Sequence, residues 1–212
     1  EQFINNMREQ YDDLCVVCYI NSTAKIKTLS DVCVTSSNAK KIVGALPNKN
    51  ILFIPDQNLG HHIAKMFPEK NFLFCDGHCP SHYQITVEDL KKAKAAHPNA
   101  PILIHPECKP ECVALSDYAG STSGIIDYAT NDNEHDEFIV VTEVGVIHEM
   151  EKQNPNKKFY LASEKLVCPN MKKNTSEKVR DCLKYGLNKV ELDDEFMAKA
   201  KKPLERMHEL AK

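Results

Sequence analysis

The stretch ILIHPECKPECVALSDYAGSTSG, Ile102 to Gly124, decides the fold. A short apolar strand, Ile102 to Ile104, runs straight into His105-Pro106-Glu107. A polar turn and one or two helical turns then lead to a loop of small residues, Gly120-Ser121-Thr122-Ser123-Gly124. Imidazole, carboxylate and hydroxyls thus fall at strand ends, where open α/β sheets place their ligands. The same plan occurs earlier as VVCYINSTAKIKTLSDVCVTSSNA, residues 16–39.

Laid on itself with a shift of 86, the chain sets Tyr19 against His105, Asn21 against Glu107 and Ser30-Asp31 against Ser116-Asp117. Ser36 meets Thr122, and Asp56-Gln57 meets Thr142-Glu143. Cys79 meets Cys168 after a three-residue insertion. Self-similarity at so long a period means duplicated domains rather than a solenoid. Within each copy strands alternate with helices, which predicts α/β/α three-layer repeats around short parallel sheets. Strands are expected at Leu14–Ile20, Val32–Val34, Ile51–Ile54 and Phe72–Phe74, then at Ile102–Ile104, Phe138–Val141 and Phe159–Leu161. The domains predicted are residues 1–82, ending in Cys79, and residues 83–169, ending in Cys168. A tail, 170–212, packs back on the rest. In that tail the sequence predicts a helix capped by Thr175 or Ser176, a strand over Lys189–Leu192, and a charged helix interrupted by Pro203.

Of the 212 residues, 42% are hydrophobic, enough for real cores, and no apolar run approaches the length needed to span a bilayer. The net charge of −3 and the scattered lysines argue against a nucleic-acid partner. Nine cysteines are an odd number in a chain too large to need staples, which favours a reducing cytoplasm and metal-binding or reactive thiols. The opening EQFINNMREQYDD has neither an initiator Met nor a signal region, so the chain is expected to be the interior of a longer protein.

Cys79 and Cys168 each precede a proline at the end of a repeat. Equivalent positions in pseudo-symmetric domains converge on the symmetry axis, so the two thiols can ligate one metal centre. A third ligand from a third copy would leave an open position, and thiolates suit both iron–sulfur clusters and zinc. The plain alternative is two unrelated buried cysteines. Cys108 and Cys112 read as half-buried thiols, and Cys33 and Cys182 as core. His105 and Glu107 flank a rigid proline, and imidazole beside carboxylate is equipment for proton transfer or, more blandly, a strand-end ion pair. Ser36 and Thr122 open helices from small polar loops, where free N–H groups and the helix dipole favour anions, though such residues are commonly plain N-caps. Asp56 and Glu143 read as solvated loop acids.

Six motifs in order then carry a resemblance: Cys18-Tyr19-Ile20-Asn21-Ser22-Thr23-Ala24, Thr35-Ser36-Ser37-Asn38-Ala39, Pro55-Asp56-Gln57-Asn58-Leu59-Gly60, His105-Pro106-Glu107, Gly120-Ser121-Thr122-Ser123 and Cys168-Pro169-Asn170-Met171. Together they resemble the quinolinate synthase family over essentially the whole chain. The resemblance implies three pseudo-symmetric domains around a [4Fe–4S] cluster, two of them present here. It implies condensation of iminoaspartate with dihydroxyacetone phosphate in NAD biosynthesis, with an L-aspartate-oxidising enzyme as supplier of iminoaspartate. It implies Cys79 and Cys168 as cluster ligands, with the third cysteine upstream of Glu1. It implies Tyr19, His105 and Glu107 as catalytic groups, and Tyr19, Asn21, Ser36, His105, Glu107 and Thr122 as substrate-binding groups. A non-catalytic ligand- or metal-binding module on the same duplicated fold is the rival.

Overall fold

The computed structural model describes residues 1–212 and contains two parallel four-stranded sheets, each flanked by helices. In the first repeat α1 (Gln2–Gln10), β1 (Cys15–Tyr19), α2 (Ala24–Lys27), β2 (Val32–Val34), α3 (Ala39–Ala45), β3 (Asn50–Ile54), α4 (Gln57–Ala64) and β4 (Asn71–Phe74) follow in order. A short helix, α5 (Pro80–Tyr83), leads into α6 (Val87–Ala96). The second repeat continues with β5 (Ile102–Ile104), α7 (Pro110–Val113), β6 (Tyr118–Ala119), α8 (Thr122–Asn131), β7 (Glu137–Val141), α9 (Gly145–Gln153) and β8 (Lys158–Leu161). The tail holds α10 (Ser176–Tyr185) and α11 (Asp194–Leu210).

The strands are short runs rich in valine and isoleucine because both faces of each sheet are covered, as parallel sheets require. All five residues of β1 and all three of β2 are buried. In the second repeat the alternation of side chains across the sheet separates two cores. Ile102, Ile104, Ile139 and Val141 pack with Leu90 and Cys112 on one face, while Leu103, Phe138 and Val140 pack with Ile125 and Met150 on the other. That is three layers, and at roughly 25 cal/mol per Å² of apolar surface such burial is the main force holding them.

The strand orders are β2-β1-β3-β4 and β6-β5-β7-β8. In each sheet the chain leaves the first strand to one side and crosses back to the other, so the ends of β1 and β3, and of β5 and β7, flank a switch point. Register sharpens the repeat. Cys18 pairs with Ile54 where Ile104 pairs with Val141, so from β3 and β7 onward the offset becomes 87 and Asp56 corresponds to Glu143, not to Thr142. One residue extra before β7 causes the slip, which the sequence comparison does not detect because Asp-Gln over Thr-Glu is as plausible a match.

Four expectations for the tail and the cysteines are corrected. Lys189–Leu192 forms no strand; Val190 is 79% exposed and neither sheet offers it a paired edge. Pro203 does not interrupt α11. Its missing N–H and ring clash cost about 3 kcal/mol in a helix interior, but Ala200, Pro203 and Met207 form the buried stripe that lies on β2, α2 and α3, and Lys41 Nζ donates to the Ala211 carbonyl at 2.8 Å. Cys182 is exposed on α10 rather than in a core, whereas Cys108 and Cys112 are fully buried, because α7 is pressed against Ile85 and the sheet. No helix is long and apolar enough to cross a membrane.

Candidate active site at the switch points

Between the two repeats lies a cavity of about 660 Å³ whose lining includes Tyr19, Asn21, Glu107, Cys79 and Cys168. Each reaches it from a strand end or from the loop closing a repeat. Tyr19 ends β1, Glu107 stands three residues beyond β5, and the two cysteines follow β4 and β8. Gly77 lets the first cysteine loop touch the end of β3: a side-chain carbon there would sit 2.1 Å from the Pro55 carbonyl oxygen. The two cysteine loops also meet, through the Ser81 hydroxyl donating to the Val167 carbonyl at 3.4 Å.

The polar centre is built around Glu107. His82 Nδ1 lies 3.0 Å from Glu107 Oε2 and 3.2 Å from Cys79 Sγ, and its Nε2 lies 3.1 Å from the Thr142 hydroxyl. Asn58 Nδ2 donates to the Glu107 carbonyl at 3.0 Å. The Tyr19 phenol accepts from Asn21 Nδ2 at 3.3 Å. Burial opposes charge on Glu107, yet the hydrogen bond and charge of His82 hold its carboxyl below the usual range. Burial likewise opposes charge on His82, but its bonds to Cys79 and Glu107 raise it to about 9. Tyr19 is pushed up by burial and by the Glu107 charge, so it stays a phenol.

His105 behaves in the opposite way. Its Nδ1 accepts from the Glu107 N–H at 3.3 Å, which places the ring proton on Nε2. Burial, with the stacked His82 ring centred 4.9 Å away, lowers it to about 4 despite the Glu107 charge. The 3.4 Å approach of His105 Nδ1 to Glu107 Oε2 is therefore a contact of a neutral ring, not an ion pair. Two imidazoles on one carboxylate, held apart in protonation, are the arrangement in which acid and base are distinguished by environment. A pH consequence follows. Unfolded His105 protonates near 6.5 and folded His105 only near 4, so the unfolded state binds the proton between those values and stability falls as pH drops through that window. Urea unfolding at pH 7 and pH 5 should show a smaller acid loss in His105→Asn than in the parent; an equal loss in both would reject the assignment.

Of the other expected site residues, Ser36 is half-buried beside the Tyr19 phenol, and Thr122 is exposed at the first turn of α8, outside the cavity lining. Neither caps its helix. α3 starts only at Ala39 after Asn38, and Ser121 is the cap of α8, accepting from Gly124 N at 3.1 Å. His82, Asn58, Thr142, Asp56 and Glu143 are additions that sequence reasoning missed. The spacing Cys79-x-x-His82 was the available signal for the first. Asp56 and Glu143, read as solvated, are 3% and 8% exposed and line the cavity.

The thiols suit a soft metal. Cys79 and Cys168 are free, half-buried and share one cavity, and Cys79, His82 and Glu107 present ligand atoms within 4.8 Å of one another. A duplicated α/β/α fold with a cysteine- and carboxylate-lined site at its switch points defines an enzyme-type centre for small molecules. Residues 1–209 match the quinolinate synthetase A protein family. The chain is 50% identical to the quinolinate synthase of Caldicellulosiruptor bescii over 98% of its own length and 68% of that protein's. It is 50% identical to that of Clostridioides difficile over 100% and 69%, and 51% identical to that of Fusobacterium nucleatum over 98% and 69%. The chain belongs to the quinolinate synthase family, condensing enzymes of NAD biosynthesis.

Proposed function

We propose that the full-length protein containing this chain condenses iminoaspartate with dihydroxyacetone phosphate to form quinolinate, releasing phosphate and water, in the cytoplasm. The observation that carries this is one cavity gathering Cys79, Cys168, Glu107 and Tyr19 in a member of this family. Cys79 and Cys168 are two ligands of a [4Fe–4S] cluster whose third cysteine lies outside residues 1–212. When bound, the cluster supplies a Lewis-acidic iron with an open position for a substrate oxygen. Residues 1–82 and 83–169 are the two repeats that contribute one ligand each, with 170–212 as the tail, and an L-aspartate-oxidising enzyme supplies the unstable imine.

The protein groups move protons and hold charge. Glu107 accepts protons during isomerisation, imine formation and ring closure, while Tyr19 stays protonated and donates. Neutral His105 orients Glu107 from behind through the Glu107 N–H. Asn21, at the cavity mouth, binds substrate oxygens, and Ser36 and Thr122 are assigned to the phosphate or carboxylates. The test is turnover: full-length protein, reconstituted anaerobically with iron and sulfide, should form quinolinate from the two substrates. A cluster-loaded protein that binds substrates without forming quinolinate would favour the non-catalytic rival.

A further inference from the structure

We propose that Asp56 and Glu143 are a matched pair of positioning carboxylates that fix the two metal-binding cysteines from behind and set the properties of the metal they hold. This rests on the assignment of Cys79 and Cys168 as ligands and deepens it.

The two acids occupy equivalent places, two residues beyond β3 and β7, once register has set the offset. Each uses both carboxylate oxygens, and in the same way. Asp56 Oδ1 accepts from Leu59 N at 2.8 Å, tying it to the start of α4, and Oδ2 accepts from Cys79 N at 2.8 Å. Glu143 Oε2 accepts from Gly145 N at 2.7 Å, at the start of α9, and Oε1 accepts from Cys168 N at 3.4 Å. A backbone bond repeats beside each: Gln57 N donates to the Gly77 carbonyl at 2.8 Å, and Val144 N to the Leu166 carbonyl at 2.9 Å.

Holding a free N–H of a helix's first turn, as the N-cap in Asp56 and from just before the cap in Glu143, explains one oxygen of each acid and nothing more. It does not explain why the second oxygen reaches, in both repeats, the amide of the one cysteine that faces the cavity. Metal ligands are commonly held by such outer partners, whose loss weakens metal binding about 10- to 100-fold. A buried anion against the cysteine backbone also opposes added negative charge, which lowers the reduction potential of a cluster. Glu143 shares its charge with Lys172, 3.0 Å away, and holds its amide more loosely, so Asp56 should matter more.

The decisive variants are Asp56→Asn and Glu143→Gln in the full-length protein. An amide keeps one acceptor oxygen, enough for the helix cap, and loses the other. After anaerobic reconstitution both variants should load iron, release it to a chelator about tenfold faster than the parent, and show a more positive reduction potential. Asp56→Asn should show the larger change. A purely structural role would lower the unfolding midpoint and leave release rate and potential unmoved, and that result overturns the proposal. Asp56→Glu and Glu143→Asp, which retain charge, should restore the potential if either amide variant folds poorly. A parent that takes up no iron refutes the ligand assignment itself and this proposal with it; a loaded parent with unaffected variants refutes this one alone.

Discussion

Cys79→Ser and Cys168→Ser, each made singly in the full-length protein, are expected to reduce bound iron to below about a tenth of the parent and to abolish quinolinate formation. Removing a partner that merely orients a ligand already weakens metal sites about 10- to 100-fold, and removing a ligand should exceed that. Serine matches cysteine in shape but replaces a soft thiolate by a hydroxyl that does not ionise at neutral pH, so the fold is preserved while the donor is lost. The internal control is Cys75→Ser. That thiol is four residues from Cys79 yet donates to the Pro55 carbonyl at 3.4 Å and does not line the cavity. It should load iron normally, as should Cys182→Ser on exposed α10. Iron and sulfide content with visible absorption after reconstitution decides the matter. Normal iron in either Cys79→Ser or Cys168→Ser removes that cysteine from the ligand set.

The framework was legible because buried parallel strands leave a strong trace: Val32–Val34 and Ile102–Ile104 coincide with β2 and β5. Short apolar runs bounded by polar loops have few other homes in an α/β chain. The two-residue strand β6 was missed because Tyr118-Ala119 has no apolar run; it pairs with β5 only because the crossover delivers it there. The tail strand failed for the converse reason, as Val190 and Leu192 have strand composition but no partner.

The site was legible only in part. Tyr19, Glu107, Cys79 and Cys168 stand at strand ends or repeat ends, positions that topology alone marks. His82 belongs to the first repeat but acts in the second, through Glu107 and Thr142, and no local pattern predicts a contact across sixty residues. Asp56 and Glu143 read as loop acids because sequence does not show burial. Their charges are tolerated inside because backbone amides satisfy both oxygens of each.

Glu107→Gln should keep the iron and lose the chemistry, with turnover falling about 10²- to 10⁴-fold, the usual contribution of a general acid–base group. The substitution leaves the local backbone bonds in place, because Asn58 donates to the Glu107 carbonyl and His105 accepts from its N–H. What changes is the side chain. A glutamine offers His82 one acceptor oxygen in place of a carboxylate, and it accepts no proton at neutral pH. With the carboxylate gone, Tyr19 loses the negative charge that helps hold it as a phenol, and His82 loses the carboxylate partner that helps keep it protonated. The loss should therefore appear in kcat more than in KM, since the group acts on protons in transit rather than on substrate charge. Iron content and visible absorption equal to the parent's would separate this from a metal defect. Turnover within about twofold of the parent, in protein with a full cluster, would strike Glu107 from the catalytic set and leave Tyr19 and His82 to supply the proton transfers.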